Sequence, residues 1–238
     1  MTLDMQLFRH SRAFYVYVAL HLLQAGHLSE QVSFMQKFKT EQETFWAESF
    51  GKAYIERNSS EQLYLSKVAT WAKMLKSATG VKSILELGCN IGLNLKAIHG
   101  LNPDIQLQGV EINKDAANKA ANMGIADIHQ DTILNTLDSP PVDLSFTAGV
   151  LIHINPEYLD QVYANLVNLS KRYVLVAEYY NPSPMSIDYR GHKERLFKRD
   201  FAGELIDNYN LKLVDYGFVY KRDKWAPMDD ITWFLLEK

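Results

Sequence analysis

The sequence predicts an α/β domain built on a mostly parallel sheet with helices on both faces, and three observations carry that expectation. Short apolar runs alternate with amphipathic stretches between Ile84 and Glu178, the pattern of parallel strands joined by right-handed crossovers. The first run, 84–87, leads into Glu86-Leu-Gly88-Cys-Asn90-Ile-Gly92, where two glycines permit a tight turn and a close backbone approach to a ligand. Two later segments, 211–219 and 231–237, alternate apolar and polar residues as antiparallel strands do.

Taken in order, residues 3–25 read as a helix ending at Gly26, with a second short helix over 28–38. Together they give a helical N-terminal extension over 1–36, poorly ordered if Met35 is an alternative start, ahead of a domain over 37–238. Within 40–58, Trp46, Phe50, Tyr54 and Arg57 share one helical face. That face is either a packing stripe or, because a guanidinium at its end seeks a carboxylate or phosphate, part of a site. A helix over 61–77, capped by Ser59 or Ser60, delivers the chain to the first strand. Then follow a helix over 91–99, a strand over 106–111, a helix over 114–123, and strands over 126–129 and 143–147. A helix over 156–169, opened by Asn155 and Pro156, precedes a fifth strand over 172–178.

Composition narrows the class. A chain of 238 residues, 47% hydrophobic and 22% charged, fits one soluble domain with additions. The formal charge of -3 argues against a general affinity for nucleic acid. Cys89 is the single cysteine, so an internal disulfide framework and a cysteine-built zinc site are excluded, no metal is expected, and a reducing cytoplasm fits. Arg9, His10 and Arg12 ahead of the apolar run 13–20 superficially copy a signal peptide. That run stops at His21, is rich in aromatics, lacks a small-residue cleavage site and falls short of the roughly 18 apolar residues of a membrane span, so no membrane association is expected.

Ligands of such sheets bind outside the carboxyl ends of the strands. There the sequence sets Glu86, Gly88, Asn90 and Gly92, then Glu111, then Asp131, then Thr147, Gly149 and His153, and finally Glu178, Tyr179 and Asn181. The glycine spacing is not the G-x-G-x-x-G dinucleotide fingerprint, because Asn90 takes the middle glycine's place. Glu111, about 20 residues past the turn, is placed to accept two hydrogen bonds from a ribose diol. Three carboxylates on one rim disfavour a pyrophosphate and favour a nucleoside carrying positive charge.

The stretches Glu86-Leu-Gly-Cys-Asn-Ile-Gly92, Gly109-Val-Glu111-Ile112-Asn and Asp143-Leu-Ser-Phe-Thr-Ala-Gly-Val-Leu-Ile-His153-Ile resemble motifs I, II and IV of class I S-adenosylmethionine-dependent methyltransferases. The resemblance implies a Rossmann-like sheet with a seventh, antiparallel strand inserted near one edge. Phe45-Trp46, Phe50-Gly51, Tyr54, Arg57-Asn58, the stretch 189–201 and Asp229-Asp230-Ile-Thr-Trp-Phe234 further resemble the methylases associated with pseudaminic acid and related surface-polysaccharide biosynthesis in bacteria. This implies S-adenosyl-L-methionine as cofactor and a small-molecule acceptor, loosely a sugar or sugar acid, free or nucleotide-activated. Carried over by position, Gly88, Asn90 and Gly92 shape the loop beneath the cofactor, and Glu86 sits near its amino group. Glu111 and Ile112 hold the ribose side, Asp131 and Thr132 approach the adenine, and Thr147 lines the methionine end. Arg57 pairs with the methionine carboxylate and Tyr54 closes over the sulfonium.

A hydroxyl acceptor needs a base, and the candidates are His153, Glu178 and His192. His153 has an equal claim as a pocket or capping residue, and Glu178 as the partner of a tyrosine hydroxyl. The stretch 189–199 reads either as a solvated, charged helix start or as a site for an anionic acceptor, with Tyr179, Asn181, Tyr189, Arg190 and Arg195 as contacts. An RNA or protein methyltransferase, and a cofactor-binding scaffold without catalysis, are the alternative readings.

Overall fold

The computed structural model describes residues 38–48, 60–189 and 191–238, with the backbone alone at 192–194. The helices expected over 3–25 and from Leu28, the side chains of Phe50, Tyr54, Arg57 and Arg190, and the imidazole of His192 lie outside the described residues.

A short helix α1 (Glu41–Ala47) comes first, closed at its start by a capping box in which Thr40 and Glu43 each bond the other's backbone amide. Helix α2 (Glu61–Leu75) begins at Ser60, whose hydroxyl accepts from Leu63. The sheet then builds through β1 (Ser83–Leu87), α3 (Leu93–Leu101), β2 (Gln106–Glu111), α4 (Lys114–Ala121), β3 (Asp127–Gln130), β4 (Val142–Ala148), α5 (Leu159–Asn168) and β5 (Ser170–Glu178). A hairpin of β6 (Met185–Tyr189) and β7 (His192–Lys198) stands apart from the sheet, followed by α6 (Phe201–Tyr209), β8 (Lys212–Val219) and β9 (Ile231–Glu237).

The seven strands lie in the order β3-β2-β1-β4-β5-β9-β8. The first five run parallel, while β9 is antiparallel to both β5 and β8. This is the seven-stranded arrangement expected from the sequence. Alternation along each strand feeds two cores, because both faces are covered. Leu85, Leu87, Val174 and Val176 pack with Leu166 of α5 and Leu205 of α6. Ile84, Phe146, Leu175 and Trp233 pack with Trp71 of α2 and Ile98 of α3, the Trp71 and Phe146 rings lying 4.5 Å apart.

Two departures have local causes. The helix expected over 156–169 opens as a 3-10 turn, Pro156–Tyr158, capped by Asn155, before α5 begins. The charged helix start expected near 189–199 is instead strand β7, because Leu196 pairs opposite Ile187 and buries against the α5 side of the core. Tertiary burial of one leucine outweighs the helical look of its cationic neighbours.

Candidate functional site

One cavity lies at the carboxyl ends of β1, β2, β3 and β4, beneath α1. Its floor is the turn from β1 to α3, which takes three residues in the left-handed region: Gly88 at φ 82°, Asn90 at 49° and Gly92 at 74°. Asparagine tolerates that conformation better than other residues with a Cβ. The amides of Gly88 and Cys89 both donate to the Val110 carbonyl, so the turn is stitched to β2. A Cβ at Gly88 would meet Val150 at 2.7 Å, so glycine is needed for closure of the floor against the end of β4. Gly92 is not on the cavity wall. A Cβ there would press on Met123 and Ala120, so this glycine lets α3 start against α4 and shapes the loop indirectly. Cys89 is buried beside Gly109, as a small packing residue, with its thiol pushed up by burial.

Glu86 and Glu111 end their strands inside the cavity. Glu86 accepts from the Asn94 amide at 2.6 Å through one oxygen, while the other is buried without a partner. Burial pushes this carboxyl up to about 8. Glu111 accepts the backbone amides of Asn90 and Asn113, both at 2.7 Å, one on each oxygen. The Ile112 amide bonds this carboxyl as well, which leaves capacity for a further donor among its lone pairs, and burial raises it. Ile112 lies on the wall beside it. Asp131, exposed at the rim, bonds the Thr132 amide and the Asn135 side chain, and the Thr132 hydroxyl donates to Glu43 of α1.

Among the wall residues that the sequence left unassigned are Lys67, Asn94, Asn113 and Glu43. Asn113 caps α4 with its side-chain oxygen, and its amide donates to the carbonyls of Trp46 and Ala47 at 3.2 and 3.0 Å. Helix α1 is therefore tied down over the β2 end of the cavity. The capping role is legible from Asn113 opening a helix, but the grip on a segment far upstream has no signal in the sequence.

His153 lies on the wall within a 3-10 turn, Leu151–His153. Its Nδ1 is 2.6 Å from the Arg195 carbonyl. A carbonyl only accepts, so Nδ1 carries the proton and Nε2 the lone pair. The Trp46 and Tyr189 rings lie 4.5 and 5.0 Å from the imidazole. Burial holds His153 down to about 4, which keeps it neutral.

Several expected contacts are not in this cavity. Glu178 is buried behind it, accepting the amides of Val150 and Leu151, both at 3.1 Å, and of Ile152. Burial pushes its carboxyl up to about 7 against those bonds. Its bonds fix the turn that carries His153. Thr147 is fully buried on the same strand face as Ser145, whose hydroxyl donates to the Leu166 carbonyl of α5, so alternation turns it away from the cavity.

Tyr179 lies under the Lys198 ammonium, and the Asn181 amide bonds the Ser183 carbonyl within its own loop. Tyr189 reaches the site through His153. Arg195 pairs with Glu41 of α1 at 2.8 Å, and Arg199 with Glu204.

No helix among the described residues is long and apolar enough to cross a membrane. No family model and no curated protein sequence matches the chain. Solved structures do match its fold. Magnesium protoporphyrin IX methyltransferase from Synechocystis PCC 6803 with bound SAM aligns over 84% of this chain and 98% of its own, at TM-score 0.61 and 9% identity. The 1,6-didemethyltoxoflavin-N1-methyltransferase of Burkholderia thailandensis, with its acceptor and S-adenosylhomocysteine bound, aligns over 79% of this chain and 85% of its own, at 0.62 and 13%. An O-methyltransferase of a Brevibacillus brevis trans-AT PKS multienzyme, in complex with S-adenosyl-L-homocysteine, covers 85% and 80%, at 0.57 and 16%. The chain has the class I methyltransferase fold.

Proposed function

We propose that this chain is an S-adenosyl-L-methionine-dependent methyltransferase with a small-molecule acceptor. One observation carries the reading: on neighbouring strands, around a left-handed glycine turn, Glu86 presents a buried carboxyl oxygen unpartnered among the described residues, and Glu111 a carboxyl with bonding capacity beyond its backbone amides. That donor-seeking pair fits an ammonium at one end of a ligand and a ribose diol at the other. The cofactor supplies, when bound, a methyl group on a sulfonium for in-line displacement by the acceptor.

The protein's own part is to bind, align and keep the site dry. Gly88 admits the ligand against bare backbone, and Asp131 with Thr132 holds the base side. Helix α1, anchored by Asn113 and by Arg195, closes over the cavity with Trp46 on its wall. His153 takes the acceptor hydroxyl's proton on Nε2. A protonated ether is a far stronger acid than this imidazolium, so a weak base suffices late in methyl transfer.

The acceptor we propose is a sugar or sugar acid of bacterial surface-polysaccharide biosynthesis, acting in the cytoplasm; its support is the resemblance of residues 189–201 and 229–234 and the single buried cysteine. Thermal shift with S-adenosylhomocysteine against NAD tests the cofactor. A rise in Tm with the former, absent in Glu111→Ala, is expected; a rise with NAD alone overturns the reading.

A further inference from the structure

The cavity holds a cation that no motif announces. Lys67 of α2 reaches the wall, and its Nζ donates to the Asn94 side-chain oxygen at 2.7 Å. The amide of the same Asn94 donates to Glu86 at 2.6 Å, and its oxygen also accepts the Trp71 indole at 3.1 Å. Asn94 is buried and held from three sides, so it is a rigid spacer.

An ammonium and a carboxylate sharing a buried cavity gain most by pairing directly. Here the amide stands between them, and each keeps bonding capacity. Glu86 has one buried oxygen without a partner, and Lys67 has three N–H donors with one directed to Asn94. A ligand complementary to that arrangement carries a cation and an anion side by side, which describes an α-amino acid zwitterion.

The geometry points to Lys67 as the residue that holds the α-carboxylate of the cofactor's methionine end, with Asn94 setting its distance from the Glu86 oxygen that takes the α-ammonium. The inference rests on the methyltransferase reading and adds a specificity: both charges of the amino-acid end are read by one spaced pair. It gives the carboxylate to Lys67 rather than to Arg57, which the sequence alone offered. Burial lowers the Lys67 ammonium, with Glu86 and Asp229 acting to restore it, and raises the Glu86 carboxyl, so a bound zwitterion favours the charged form of each.

Calorimetric titration with three ligands tests this: S-adenosylhomocysteine, its decarboxylated analogue that keeps the amine, and 5′-methylthioadenosine, which lacks both charges. In the unmodified protein the decarboxylated analogue should bind about ten- to a hundredfold more weakly than S-adenosylhomocysteine. Lys67→Gln should lose a similar factor for S-adenosylhomocysteine while binding the decarboxylated analogue within about twofold of the unmodified protein. Equal affinity of the unmodified protein for the two amines, or an equal loss for both in Lys67→Gln, overturns the assignment. Failure of the unmodified protein to bind S-adenosylhomocysteine at all overturns the methyltransferase reading with it.

Discussion

The Arg195 carbonyl accepts the Nδ1 proton of His153 across 2.6 Å, and the Arg195 guanidinium pairs with Glu41 of α1. One residue of the β6–β7 hairpin thus fixes the histidine's tautomer and holds the helix that covers the cavity. Because burial depresses His153 to about 4, NMR of the imidazole should show it neutral, with the proton on Nδ1, from about pH 5 upward. For a hydroxyl acceptor, kcat should be flat above that pH, and His153→Ala should lower kcat by about 100- to 10,000-fold. S-Adenosylhomocysteine affinity should change little.

Glu178 supports that histidine from behind. Glu178→Ala strands three backbone amides of the 150–152 turn. A loss of about 2–4 kcal/mol in denaturant unfolding is expected. Retained stability would return Glu178 to the list of candidate bases.

Asn113 separates two jobs that one substitution can divide. Asn113→Asp keeps the α4 cap and loses the donors to Trp46 and Ala47, whereas Asn113→Ala loses both. Faster amide exchange in α1 is expected in both variants. Only the alanine variant should also pay about 1 kcal/mol at the α4 cap.

The glycines grade by what surrounds them. Gly88→Ala meets Val150 at 2.7 Å in a left-handed conformation, whereas Gly124→Ala, at φ 67°, meets nothing within 4 Å. The latter should cost only the left-handed strain, about 1–2 kcal/mol. The former should cost more and abolish the thermal shift with S-adenosylhomocysteine.

Stability should fall as pH rises from 6.5 to 8. Glu86 and Glu178 are pushed up to about 8 and about 7, so the folded protein holds protons that the unfolded chain, titrating near 4.5, has released. Their contribution is full below about pH 4.5 and lost as pH climbs through 7 and 8. His153 acts with the opposite sign, its contribution being lost as pH falls from 6.5 through about 4, so it is silent in the upper window. Urea midpoints at half-unit intervals measure the decline, and Glu86→Gln should flatten it.

The succession of strands and helices and the glycine floor were legible because period, turn chemistry and the acid ending β2 are local signals, whereas the place of the antiparallel strand in the sheet was implied only by the family resemblance. Thr147 lies off the cavity wall, on the face of β4 that Ser145 turns toward α5, and which face that is becomes visible only in the folded sheet. The 192–198 strand was hidden by its cations, and only Leu196, paired opposite Ile187, decides it. Lys67 and Asn94 gave no sign of each other, because their bond joins two helices, α2 and α3, that meet only once the domain has folded.

Strand β9 follows β8 in the chain yet lies between β8 and β5. A nascent chain that has not yet released residues 231–237 has β8 without its neighbour and the outer edge of β5 bare, including the pairing row from Tyr173 to Glu178. Sheet closure therefore waits for residues 231–237. Until then the exposed edge of β5 is a template for strands of other chains, so the domain's vulnerability to aggregation is concentrated in the interval before β9 arrives.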